Sequence, residues 1–224
     1  MRRFLRENGL SVVFGLLFLG ALVGQAFAGH ADFNEQQVLH GDPTLSLGRY
    51  VVSSAFAVDV MENWQSEYLQ FTLMILSTVW LLQRGSPESK ELDQAGRESD
   101  QRQKVGAYAQ RNSPRWAKVA GFRRRVYENS LVLVMGTIWL GTWLAQSITG
   151  LAEYNSEQID HQMDTTSWVH YIGTSDFWNK TLQNWQSEFL AVGSMAILAV
   201  YLRQRGSPES KPVGAAHTST GIEG

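Results

Sequence analysis

The chain contains no cysteine. Disulfides, thiolate metal ligands and cysteine nucleophiles are therefore excluded. There is no glycine-rich phosphate loop, helical His-Glu-x-x-His pair or nucleophile elbow either. A strong excess of one charge is also missing, since the formal net charge is only −2. Nucleic-acid binding finds no support, because the basic residues stand beside the ends of apolar segments, where topology accounts for them. Polar and apolar residues are not evenly mixed. Apolar residues gather in four blocks and charge collects between them.

Residues 10–28 and 131–148 each approach the roughly 20 residues that cross a hydrocarbon core of about 30 Å. Residues 68–82 and 189–202 reach that length only with the semi-polar turns 61–67 and 182–188 included. Arg2, Arg3 and Arg6 followed by an apolar stretch and Ala26-Phe27-Ala28 also fit a cleavable signal peptide. The repeat argues for retention, since the matching segment 131–150 lies mid-chain.

That repeat organises the chain. Asn63-Trp64-Gln65-Ser66-Glu67 returns as Asn184-Trp185-Gln186-Ser187-Glu188, and Gln83-Arg84-Gly85-Ser86-Pro87-Glu88-Ser89-Lys90 returns at 204–211. With one fixed offset, Glu7-Asn8 falls on Glu128-Asn129, Gln25 on Gln146, Gly29 on Gly150, Asn34 on Asn155 and His40 on His161. Roughly 35 of about 84 aligned positions are identical, which marks duplication of a whole structural unit. The expected divisions are a first helical hairpin at 1–90, a cytoplasmic linker at 91–121, a second hairpin at 122–211 and a disordered tail at 212–224.

Positive charge marks the cytoplasmic ends. Arg2, Arg3 and Arg6 precede the first block, about eleven Lys and Arg lie between Arg84 and Arg125, and Arg203, Arg205 and Lys211 follow the fourth. Both termini and the central loop are thus expected inside, with both acidic loops outside. The result is an all-α integral membrane protein of four transmembrane helices, in two tandem hairpins inserted the same way up. Asn8 and Asn129 suit N-caps, Gly85 and Gly206 suit helix stops, and Ser86-Pro87-Glu88 and Ser207-Pro208-Glu209 suit the start of short new helices. The linker reads as mobile, except that residues 116–127 resemble a basic interfacial helix.

The main candidate site is a polar stripe. On helices, Asn63, Ser66 and Glu67 share one face, as do Asn184, Ser187 and Glu188. Gln25 and Gln146 fall level with them near the outer membrane face. These eight residues form either hydrogen-bonded glue between helices or a polar vestibule, and glue is the favoured reading. Gly20 and Gly24, matched by Gly141 and Ala145, are a packing signal. His40 and His161 are the paired histidines and weak candidates for a metal, but their spacing matches no established motif. No cofactor is expected, and no histidine lies where a spanning helix could ligate haem.

Arg6 to Ser11, Gly48-Arg49-Tyr50, the Glu62–Glu67 block and the Gln-Arg-Gly-Ser-Pro-Glu-Ser-Lys ends resemble a bacterial family of small multi-pass membrane proteins catalogued as a domain of unknown function. The resemblance implies a bacterial inner-membrane protein and supplies no activity. Three functions follow in rank. The first is a structural or accessory protein, dimeric or part of a larger membrane complex, with the lipid bilayer as its surroundings. The second is a small transporter or channel with a pseudo-twofold polar site near the outer leaflet. The third, a membrane redox or metal-dependent enzyme subunit, ranks last for want of a catalytic spacing.

Overall fold

Proline cannot sit inside a helix without removing a backbone bond. The five prolines, at 43, 87, 114, 208 and 212, all fall outside the helices, which form in the proline-free stretches. A computed structural model describes residues 2–222. Met1, the Arg2 side chain, Glu223 and Gly224, which belong to the basic start and to the tail, lie outside the described residues. The helices are α1 (Arg2–His40), α2 (Leu47–Tyr50), α3 (Ser54–Ser77), α4 (Phe122–Glu128), α5 (Ser130–Asp160), α6 (Trp168–Tyr171) and α7 (Ser175–Tyr201). The protein is all-α, with no strand among the described residues. Two helices, α1 and α5, are long and apolar enough to cross a membrane. At about 1.5 Å per residue α3 and α7 are also long enough, near 36 and 40 Å, but their polar N-terminal halves keep them below that apolarity.

Asn8 and Asn129 occupy helix junctions, though not as side-chain N-caps. Asn8 leaves helical geometry inside α1 (φ −126°, ψ 18°), and its amide donates to the Phe4 carbonyl at 3.0 Å. Asn129 separates α4 from α5 (φ −114°, ψ 10°) and donates to the Arg125 carbonyl at 2.7 Å. Each amide thus caps the carbonyl that the broken turn behind it leaves open.

The chain forms two compact units, Met1–Met61 with Gln146–Tyr171 and Glu62–Ala145 with Ile172–Gly224. Each takes residues from both sequence copies.

In the first unit the same closure occurs at two matched places. Asn34 donates its amide to the Leu45 carbonyl at 2.9 Å and accepts from the Leu45 N–H at 2.8 Å. Asn155 does the same with Thr166, at 3.0 and 2.8 Å. These side chains satisfy the loop backbone that links α1 to α2 and α5 to α6. Tyr50 then packs, buried, against His30, Phe33 and Phe56. Its hydroxyl meets the backbone at Gly29, where any Cβ would clash, and Tyr171 meets Gly150 in the same way. Ser54 donates to Glu153 at 3.2 Å, tying the start of α3 to α5.

In the second unit the linker makes specific contacts with its surroundings. Gly96 N–H donates to the Val79 carbonyl at 2.7 Å, and Lys90 pairs with Glu98 at 3.4 Å. Residues 116–127 are not one helix: a 3-10 turn at Arg115–Ala117 and α4 are separated by Gly121 at φ +81°. The expected helices after Gly85 and Gly206 do not form. Instead Ser89 Oγ accepts from the Gln83 N–H and Ser210 Oγ from the Gln204 N–H, both at 2.9 Å, closing two matching loops.

The tail, read from its small polar composition as disordered, is held through residue 222. Lys211, 1% exposed, donates to the Ala216, His217 and Ser219 carbonyls at 3.2, 2.9 and 3.2 Å. Thr220 Oγ1 accepts from the Gly85 N–H at 2.9 Å, and Gly221 N–H donates to the Ser86 carbonyl at 3.1 Å. Composition misses this because the holding groups are one buried ammonium, one threonine hydroxyl and the backbone itself.

Candidate functional site: a polar and aromatic seam in α3, α5 and α7

A polar residue on a helix inside an apolar bundle needs a partner from a neighbouring helix, because leaving it unbonded costs about 1–3 kcal/mol. Within the second unit, Gln65 on α3 has no exposed surface. Its Oε1 accepts from the Trp185 indole N–H on α7 at 2.8 Å. It is shorter than the 3.4 Å contact between Ser66 and Glu188, and it joins the two Asn-Trp-Gln-Ser-Glu blocks.

Ser66, 2% exposed, stands next to it. Its hydroxyl lies 3.0 Å from the Asn63 carbonyl and 3.4 Å from Glu188 Oε1. One hydroxyl proton serves one acceptor well, so the Asn63 carbonyl takes the larger share and Glu188 is the longer alternative. Glu67 is exposed and within electrostatic reach of Glu188. Asn63 is also exposed, and Asn184 donates back to the Lys180 carbonyl at 3.0 Å. Ser187 is exposed and donates to the Asn184 carbonyl at 2.8 Å.

The six stripe residues of α3 and α7 therefore share one unit but do not act alike. A two-fold axis would pair Ser66–Glu188 with Ser187–Glu67. That second contact is not formed among the described residues, and Gln186 is exposed where Gln65 is buried. The seam joins the repeated blocks asymmetrically. Gln25 and Gln146 belong to the other unit, half-buried and buried respectively. The Gln146 carbonyl oxygen has no partner among the described residues.

The residues the stripe argument missed are Gln65, Trp185 and their aromatic neighbours. Trp139 and Trp143 stack on α5 at 5.9 Å, and Trp143 also touches Phe177, Trp178 and Trp185. Thr181, without exposed surface, lies on the α7 face that carries Phe177 and Trp185 at four-residue intervals. Among the described residues, the indole N–H groups of Trp139 and Trp143, the Gln65 amide nitrogen and the Thr181 hydroxyl have no partner. Four buried groups able to donate thus collect around one aromatic cluster. The signal available in the sequence is the repeated Trp-Gln dipeptide at 64–65 and 185–186.

His40 and His161 are both exposed near the ends of α1 and α5. The described residues contain no group of three or more His, Asp or Glu side chains placed to hold a metal.

The repeated loops hold two perturbed titratable groups. Partial desolvation, a hydrogen bond with Glu209 and that residue's like charge push the Glu88 carboxyl above its ordinary value. Burial, and then the Arg203 charge, lower the Lys211 ammonium. No curated protein matches the chain, and no solved structure does. A family model does match, over residues 1–222, and its description is Domain of unknown function (DUF6766). On that coverage the chain belongs to this family.

Proposed function

We propose that the chain is a bacterial inner-membrane protein of four spanning helices, built from two tandem hairpins, with a structural or complex-forming role. Its surroundings are the lipid bilayer and other membrane subunits or copies of itself. The carrying observation is the fully buried Gln65 bonded to Trp185. This contact, beside the stripe and between the two repeated blocks, spans a helix–helix seam, as glue between helices requires. The apolar surface of α1 supports the setting. None of its most apolar window is buried, with Leu10, Phe14, Leu16 and Leu17 all more than half exposed. A helix apolar on every side needs lipid or protein around it.

The test separates glue from a pathway. Trp185→Phe removes the indole donor while retaining an aromatic ring. It should lower the thermal midpoint of the purified protein by the equivalent of about 0.6–2 kcal/mol, the usual worth of an interhelical bond in membranes. The double variant Trp185→Phe with Gln65→Leu should recover part of that loss, since no orphaned amide remains. Solute flux in proteoliposomes that disappears with Ser66→Ala and Glu188→Gln, at unchanged thermal stability, would overturn the structural reading in favour of transport.

A further inference from the structure

A second feature of the unit that holds α3 and α7 is a cavity of about 710 Å³ where the end of α3, the linker, α4 and the start of α5 converge. Its lining is divided by chemistry. Val79, Trp80 and Leu131 contribute an apolar side, and Trp80 and Leu131 are themselves more than half exposed. Four cations and three acids also line the cavity. The acids are engaged: Glu98 with Lys90 at 3.4 Å, and Asp100 and Glu128 with Arg124 at 3.2 and 3.0 Å. The guanidiniums of Arg97 and Arg125 line the same cavity with no side-chain partner among the described residues.

Two unpaired guanidiniums facing one space are suited to an anion that accepts several hydrogen bonds, and a phosphate matches their planar fork best. A soluble phosphate ester would leave the apolar wall without an occupant. An acyl chain would cover it, and the volume falls within the usual range for a ligand pocket, roughly 300–1,000 Å³. We infer that this cavity binds the headgroup and first methylenes of an anionic phospholipid, with Arg97 and Arg125 on the phosphate and Val79, Trp80 and Leu131 along the chain. The assignment rests on the bilayer reading above. On that reading the cavity lies at the inner leaflet, where anionic headgroups meet basic pockets between helices.

The experiment uses the full chain in detergent. Dioleoylphosphatidylglycerol, dioleoylphosphatidylcholine and soluble glycerol 3-phosphate are each titrated while bound lipid is read by native mass spectrometry and stability by thermal midpoint. The wild-type chain should retain phosphatidylglycerol over phosphatidylcholine, and Arg97→Gln with Arg125→Gln should weaken that retention about tenfold or more, since charged hydrogen bonds are lost. Arg111→Gln with Arg115→Gln removes equal charge from exposed positions outside the cavity and should leave retention unchanged. Equal loss in both double variants would overturn the site in favour of diffuse attraction. Unchanged retention in the Arg97/Arg125 variant would also overturn it. Tight glycerol 3-phosphate binding that needs both arginines would replace the lipid with a soluble phosphate ester. Release of the chain from membranes by alkaline carbonate would strike the bilayer reading itself, independently of whether the arginines hold phosphate.

Discussion

At the scale of single residues, the matched glutamates Glu88 and Glu209 make the clearest pH-dependent contact. Two carboxyl groups can share a hydrogen bond only while one retains its proton, so the pairing favours the acid form. Glu88 is accordingly raised above 4.5, first by desolvation, then by the hydrogen bond and like charge of Glu209. A carboxyl raised on folding stabilises fully below its unfolded value and loses that contribution as pH climbs through the raised one. The wild-type thermal midpoint should therefore contain a component that falls as pH rises from about 4.5 toward neutrality. Glu88→Gln keeps a hydrogen-bonding side chain without the titration, so it should flatten that slope and raise the midpoint at neutral pH. An unchanged slope in scans from acid to neutral pH would dissolve the argument. That these two glutamates are equivalent was legible from the repeat, but nothing in their spacing indicated that they meet.

At the scale of elements, the long helices were readable because the segments lack proline and carry apolar residues in uninterrupted runs. Their ends were harder. Asn8, Asn129, Ser89 and Ser210 can each bond forward or backward along the chain, and only the backbone path decides which carbonyl or N–H is open. The candidate stripe was half legible for a related reason. Helical spacing placed Ser66 and Glu188 on suitable faces, but helix rotation buried Gln65 and left Ser187 exposed. Lys211 is the sharpest such case, since a terminal lysine beside a small polar tail reads as solvated, yet its ammonium organises that tail. Lys211→Met should release residues 212–222, leaving the Ala216, His217 and Ser219 carbonyls to water. Amide hydrogen exchange and limited proteolysis should show loss of protection across the tail, with the helices unaffected. A tail that stays protected would mean that the Thr220 and Gly221 contacts suffice.

At the scale of the whole molecule, two local contacts constrain how many helices can cross a bilayer. Ser54 and Glu153 are bonded, so they occupy the same side. The chain between them runs through α3 and most of α5. If α5 crosses, an odd number of crossings would separate the pair unless α3 crosses as well. The Gly85–Thr220 bond applies the same parity to α5 and α7. On the bilayer reading proposed above, this parity favours four crossings, although only α1 and α5 are apolar enough on their own. The same reading accounts for the polar turns of α3 and α7, since Gln65, Ser66 and Thr181 are buried. Reporter fusions give the decisive measurement. An alkaline phosphatase fusion at Asp42 should be active and one at Glu91 inactive, with the pattern reversed for a reporter that fluoresces only in the cytoplasm. Glu153 and Asp42 should score alike, as should Glu91 and the C-terminus. Opposite scores for Asp42 and Glu153 would deny α3 the crossing that this parity demands, and an intact mass placing the mature start near Gly29 would remove the crossing assigned to α1.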